Sequence, residues 1–219
     1  MSTSISIGRG EAPRTGSRPT TTLALLGGVV AGPLFLGAGL AQGMTRPGFD
    51  FGRNAISQLS LGELGWIQTV SFVLTGVLAL AGAVGMRGAL PDRHGRWVAR
   101  LAGVFGASFL VCAFFAADPG AGFPADAPAG AATSLSGHGA VHMAAGMVGF
   151  LALCVALVLL GRHFRAAGQR PWAILSYAAP VAVLAGFAAS GSWMPAFTLG
   201  AGLGLLTFSA VSARLLGSR

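Results

Sequence analysis

His138 and His142 stand four residues apart in an apolar stretch that reads His138-Gly-Ala-Val-His142. Residues four apart share one face of an α-helix. Two imidazoles so placed can hold one metal ion. The HExxH helix does this, with a Glu that is absent here. Asp118, followed by Pro119, closes the preceding apolar stretch. Its carboxylate could be a third ligand, or could orient an imidazole through the second ring nitrogen. A zinc ion held by three protein groups leaves a position for water and lowers the pKa of that water toward about 7. The competing reading is structural: each His bonds a carbonyl or water, and Asp118 is an end-of-helix acid in headgroup water.

Residues 44–65 hold the other reactive side chains. Ser57 offers a hydroxyl and Asp50 a carboxylate, as catalytic or substrate-positioning groups. Arg46 and Arg53 can pair with Asp50 or bind lipid phosphate. Residues 54–61 alternate apolar and polar side chains, which suits a short interfacial helix. The structural reading here is a loop folded over a helical bundle and pinned by an Asp–Arg pair.

The elements that would position these groups follow from composition. Of 219 residues, 53% are hydrophobic and 9% charged, with a mean hydropathy of +0.71. A soluble domain carries about 25% charged residues. Too little charge is present to coat a water-facing surface, so an ordinary soluble domain and a disordered chain are excluded. The net charge of +8 does not mark a nucleic-acid-binding protein, because no segment can form a basic face on a soluble fold. A helix needs about 20 apolar residues to cross a bilayer. Six stretches qualify, at about 21–43, 66–86, 98–117, 137–161, 172–190 and 194–213. The fold class is therefore all-α, a polytopic membrane bundle of six transmembrane helices.

All 14 basic residues are Arg. Twelve fall in the tail, in the second-to-third and fourth-to-fifth connections, or at the chain end, and only Arg46 and Arg53 fall on the other side. The positive-inside rule then puts both termini in the cytoplasm of the inner (cell) membrane. Asp50, Glu63, Asp118 and Asp126 lie outside. The expected organisation is a disordered cytoplasmic tail over residues 1–20 and a six-helix domain over 21–219. A signal peptide cleaved after Ala41 is the rival reading of the first span. Its apolar region would be about twenty residues, against 7–15 for such peptides, so a retained helix is expected. Cys112 and Cys154 are expected as buried thiols at different depths. The 35 glycines suit close helix packing in lipid, and Pro33 and Pro180 should kink their spans. No span carries a charged residue in its centre and no repeat relates the two halves, which argues against a transporter. Two His on one helix cannot sandwich a haem.

Asp50, then Arg53-Asn54-x-Ile56-Ser57-x-Leu59, then Gly65-Trp66 and Gly76, resemble the bacterial membrane family called domain of unknown function 998. Asp118-Pro119, Gly122-Phe123-Pro124 and His138-Gly139-x-x-His142 resemble its second polar region. The likeness spans about residues 25–213, with Gln58 standing where an acid is expected. It implies architecture and no agreed activity. A fainter likeness links Ser57, Asp118, His138 and His142 to seven-helix membrane hydrolases such as alkaline ceramidases and adiponectin-type receptors. Those use Ser, Asp and three His around zinc, and here a third His is missing.

Two functions follow. In the first, the protein is a non-catalytic membrane protein whose outer polar cluster is structural, or binds lipid or a partner. In the alternative, His138, His142 and Asp118 hold zinc, and metal-bound water attacks a lipid ester or amide at the outer leaflet. Membrane lipids are the expected partners in both, and no nucleic acid.

Overall fold

The computed structural model of the chain describes residues 19–130 and 134–218. Six helices account for most of it: α1 (Pro19–Thr45), α2 (Gly65–Ala89), α3 (Arg93–Phe114), α4 (Gly137–Ala166), α5 (Arg170–Ala189) and α6 (Met194–Leu216). Each is long and apolar enough to cross a membrane, and no strand occurs among the described residues. Every helix packs on its neighbour in sequence, and α6 returns to α1, so the six close into a ring. Helix α6 also touches α2 and α4 across the ring.

The interior is aromatic and small. Phe35, Phe72 and Phe109, from α1, α2 and α3, meet edge to face or tilted, with centroids 5.1–5.7 Å apart. Phe105 extends the cluster to Phe208 of α6 and Phe150 of α4. Where α1, α2 and α6 converge, the backbones all but touch. A Cβ on Gly82 would stand 2.7 Å from the Cα of Gly28. The Ser209 hydroxyl enters the backbone ladder of α1 at that level. It donates to the Gly28 carbonyl and accepts from the Gly32 N–H, both at 3.0 Å. These contacts make the Gly28–Gly32 pair internal packing. Outward, Leu23, Val84, Ile174, Val181 and Leu199 are exposed, as a lipid-facing wall requires. Trp66, Trp97 and Trp193 are exposed near helix ends, the position of interfacial anchors.

The ends of the bundle differ. At one end lie Arg87, Arg93, Arg96, Arg100, Arg162, Arg165, Arg170 and Arg214. At the other, the α1–α2 and α3–α4 connections fold against each other, and only Arg46 and Arg53 occur. We call these the basic end and the cap end.

Several expected boundaries move. Helix α1 begins at Pro19, inside the expected tail, because proline suits the first turn of a helix, where its missing N–H costs nothing. Residues 1–18 of that tail lie outside the described residues. Helix α3 stops at Phe114 and not at residue 117, since Pro119 disfavours helical backbone at Asp118 and the Phe115 carbonyl bonds a side chain instead. It also starts early, at Arg93, where the Asp92 side chain accepts the Gly95 N–H at 2.8 Å. The expected interfacial helix over 54–61 is a 3₁₀ helix, Ile56–Ser60. Both cysteines are buried and free.

Candidate functional site

The cap end holds all five residues singled out above. Its centre is the start of α4. Ser136 is the N-cap, with an extended backbone, and its hydroxyl accepts the Gly139 N–H at 3.0 Å. The same hydroxyl donates to Asp118 Oδ1 at 2.5 Å, and the Ser136 N–H donates to Asp118 Oδ2 at 2.9 Å. Asp118 therefore spends both oxygens on holding the first turn of α4. The bonds from the Ser136 hydroxyl and N–H, in that order, hold its carboxyl below the ordinary carboxylate range. Gly139 leaves room for this, because any side chain there would collide with the carboxylate.

His142 lies one turn further in and is buried. Its Nδ1 sits 2.8 Å from the Phe115 carbonyl oxygen, which is left without a helical partner where α3 ends. The Phe72 ring meets the imidazole edge to face at 5.8 Å. His138 is exposed, with its ring 5.2 Å from that of Phe115. Thus His142 and Asp118 both join the end of α3 to the start of α4.

The first connection is pinned over this junction. Asp50 accepts the Gly52 N–H at 2.7 Å and pairs with Arg53 Nε at 2.9 Å. Those two bonds, the backbone one first, lower its carboxyl. Arg46 makes no pair with Asp50. It donates to the carbonyls of Leu59 at 3.0 Å and Leu61 at 2.7 Å, and lies over the Phe123 ring at 5.2 Å. Burial pulls its guanidinium below the ordinary value, although it stays a cation.

The bonds that lash the two connections together come from Asn54 and Gln58, positions whose residue types and spacing point to no chemistry. Asn54 is fully buried. Its Nδ2 donates to Gly120 O at 3.3 Å and Ala121 O at 3.4 Å, and its Oδ1 accepts the Asp50 N–H at 3.0 Å. Gln58 Nε2 donates to Asp118 O and Gly120 O, both at 3.3 Å. Its Oε1 accepts the Ala55 N–H at 3.1 Å. An acid at position 58 could not make the first two bonds, having no donor when ionised. Phe123 is buried against Phe49, with centroids 5.3 Å apart. Beneath the cap, Gln42 Nε2 donates to Gln68 Oε1 at 2.7 Å, which joins α1 to α2.

Asp118 and the two His thus gather at the α3–α4 junction, while Ser57 and Asp50 belong to the neighbouring connection. No hydrogen bond joins Ser57 or Asp50 directly to Asp118, His138 or His142 among the described residues. Ser57 uses its carbonyl, which accepts the Ser60 hydroxyl at 2.8 Å. Nor do three His, Cys, Asp or Glu side chains converge as a metal-holding group among the described residues.

Residues 29–216 match the family described as "Protein of unknown function (DUF998)". That is most of the chain, and the protein belongs to this family. No curated protein and no solved structure matches it.

Proposed function

We propose that the protein acts in the membrane by binding, to lipid or to a partner, and that its His/Asp/Ser cluster is architecture and not a catalytic centre. Both termini face the cytoplasm in this reading. The asymmetry of eight arginines at the basic end against two at the cap end among the described residues supports it. The cap then faces outward over the cell membrane.

One observation carries the reading. The bonds that the cluster makes are the ones that join α3 to α4: Asp118 to Ser136, and His142 Nδ1 to the Phe115 carbonyl. The result is a cap of two interlocked connections above a closed ring of helices.

The test is an asymmetry between the two histidines, read by thermal unfolding of the full chain in detergent. Replacing His142 by Ala strands the Phe115 carbonyl, and a buried unsatisfied polar group costs about 1–3 kcal/mol. His138→Ala removes only an exposed ring contact, so stability should change by less than about 0.5 kcal/mol. Equal losses in the two variants, each accompanied by release of a bound metal, would refute the reading.

A further inference from the structure

Away from the cap, at the basic end, an open groove of about 370 Å³ runs between α2 and α3. Leu80 and Val84 of α2 and Gly103 of α3 line its end nearer the middle of the bundle, and Arg87, Arg96 and Arg100 line its end toward the α2–α3 connection. The order is the same on both helices. On α2 the positions 80, 84 and 87 fall on one face, and on α3 the positions 96, 100 and 103 do so. Because the helices run in opposite directions, each stripe passes from an apolar end to a basic end toward the α2–α3 connection. Seven residues at about 1.5 Å each give a stripe of about 10 Å.

The three guanidiniums are exposed. None meets a carboxylate: the ion pairs among the described residues are Arg53–Asp50 and His94–Asp92. Arg87 bonds only the Leu90 carbonyl, at 3.3 Å, and Arg100 lies over the Trp97 ring at 5.1 Å. Three arginines with no carboxylate partner among the described residues therefore stand at one end of an apolar groove on the outer wall of the bundle. Gly103 in this groove faces open space, with no atom within 4 Å of where a Cβ would stand.

We infer that this groove is a binding site for an anionic phospholipid of the leaflet at the basic end. The headgroup phosphate would sit among Arg87, Arg96 and Arg100, and the start of an acyl chain would lie along Leu80, Val84 and Gly103. Guanidiniums suit phosphate because they donate in a fixed, often bidentate fork. Basic pockets between membrane helices favour anionic headgroups for this reason. The apolar slot adds what a free phosphate could not use.

The test is native mass spectrometry of the delipidated full chain, titrated with an equimolar mixture of phosphatidylglycerol and phosphatidylcholine. Two variants accompany the wild type: Gly103→Leu, which fills the slot, and the triple exchange Arg87→Gln, Arg96→Gln, Arg100→Gln. The open space before Gly103 lets the leucine in without displacing protein, and thermal unfolding checks that both variants fold. The first lipid bound by wild type should be phosphatidylglycerol, preferred by about tenfold or more. Both variants should bring the preference close to unity. Equal binding of the two lipids by wild type would overturn the site. So would a preference lost in the Arg variant but kept in Gly103→Leu, which would reduce it to surface charge without a groove.

Discussion

Asp118 binds Ser136 twice, through the hydroxyl at 2.5 Å and the backbone N–H at 2.9 Å, across 18 residues of connecting chain. Ser136 in turn caps α4 through Gly139. The end of α3 is thus coupled to the start of α4 by a relay of three residues. Removing its middle member should be felt most. Ser136→Ala should lower stability by about 1 kcal/mol, the usual cost of a lost N-cap, as read by chemical or thermal unfolding in detergent.

The relay also sets a pH dependence. The Asp118 carboxyl is held below its ordinary range in the folded chain. Folded and unfolded states therefore bind protons differently only in acid. The stabilisation from this group is complete above the ordinary carboxylate range and is lost as the pH falls through the lowered folded value. Asp118→Asn should be less stable than wild type at neutral pH and should lose less on acidification below about pH 4. Parallel melting curves for the two proteins from pH 7 to pH 3 would contradict the assignment.

Asn54 and Gln58 should matter more than the Ser57 between them. Asn54→Ala takes the donor from the half-buried Ala121 carbonyl, one of two donors from the buried Gly120 carbonyl, and the acceptor from the Asp50 N–H, at a cost of about 1–3 kcal/mol. Gln58→Glu places an acceptor against the carbonyls of Asp118 and Gly120 and should also destabilise. Ser57→Ala should be near neutral. Limited proteolysis of the two connections, alongside thermal unfolding, separates a loosened cap from a loosened bundle.

The close passage of α1 past α2 predicts opposite effects for two glycines. Gly82→Ala drives a methyl group to 2.7 Å from the Gly28 Cα and should cost about 1–3 kcal/mol, as overpacking does. Gly37 on the same α1 has nothing within 4 Å of a Cβ, so Gly37→Ala should be neutral or stabilising by up to about 1 kcal/mol. Paired unfolding curves check both.

These predictions divide along what pattern can and cannot reveal. The six helices were legible because length and apolarity of a span are properties of the chain itself, and membership of the family was legible in Arg53-Asn54 and Asp118-Pro119. The family match over residues 29–216 lies within a few residues of the expected 25–213. The pairing of Arg53 with Asp50 was also readable, being three residues apart. Arg46, Asn54 and Gln58 were not, because they bond backbone carbonyls. A carbonyl is present at every residue and leaves no mark in the sequence. Asn54 finds Gly120 from 66 positions away, a distance that no local spacing encodes. His142 was singled out for its position one turn from His138, but the carbonyl that it meets is one that the end of α3 leaves unpaired, and no spacing marks which one.

The most direct test of the architectural role is elemental analysis of the detergent-purified wild type beside the His138→Ala/His142→Ala variant. The predicted result is no stoichiometric transition metal in either protein, with a lower melting temperature in the variant. About one zinc per chain in wild type, absent from the variant, would contradict it and make the junction of α3 and α4 a metal centre.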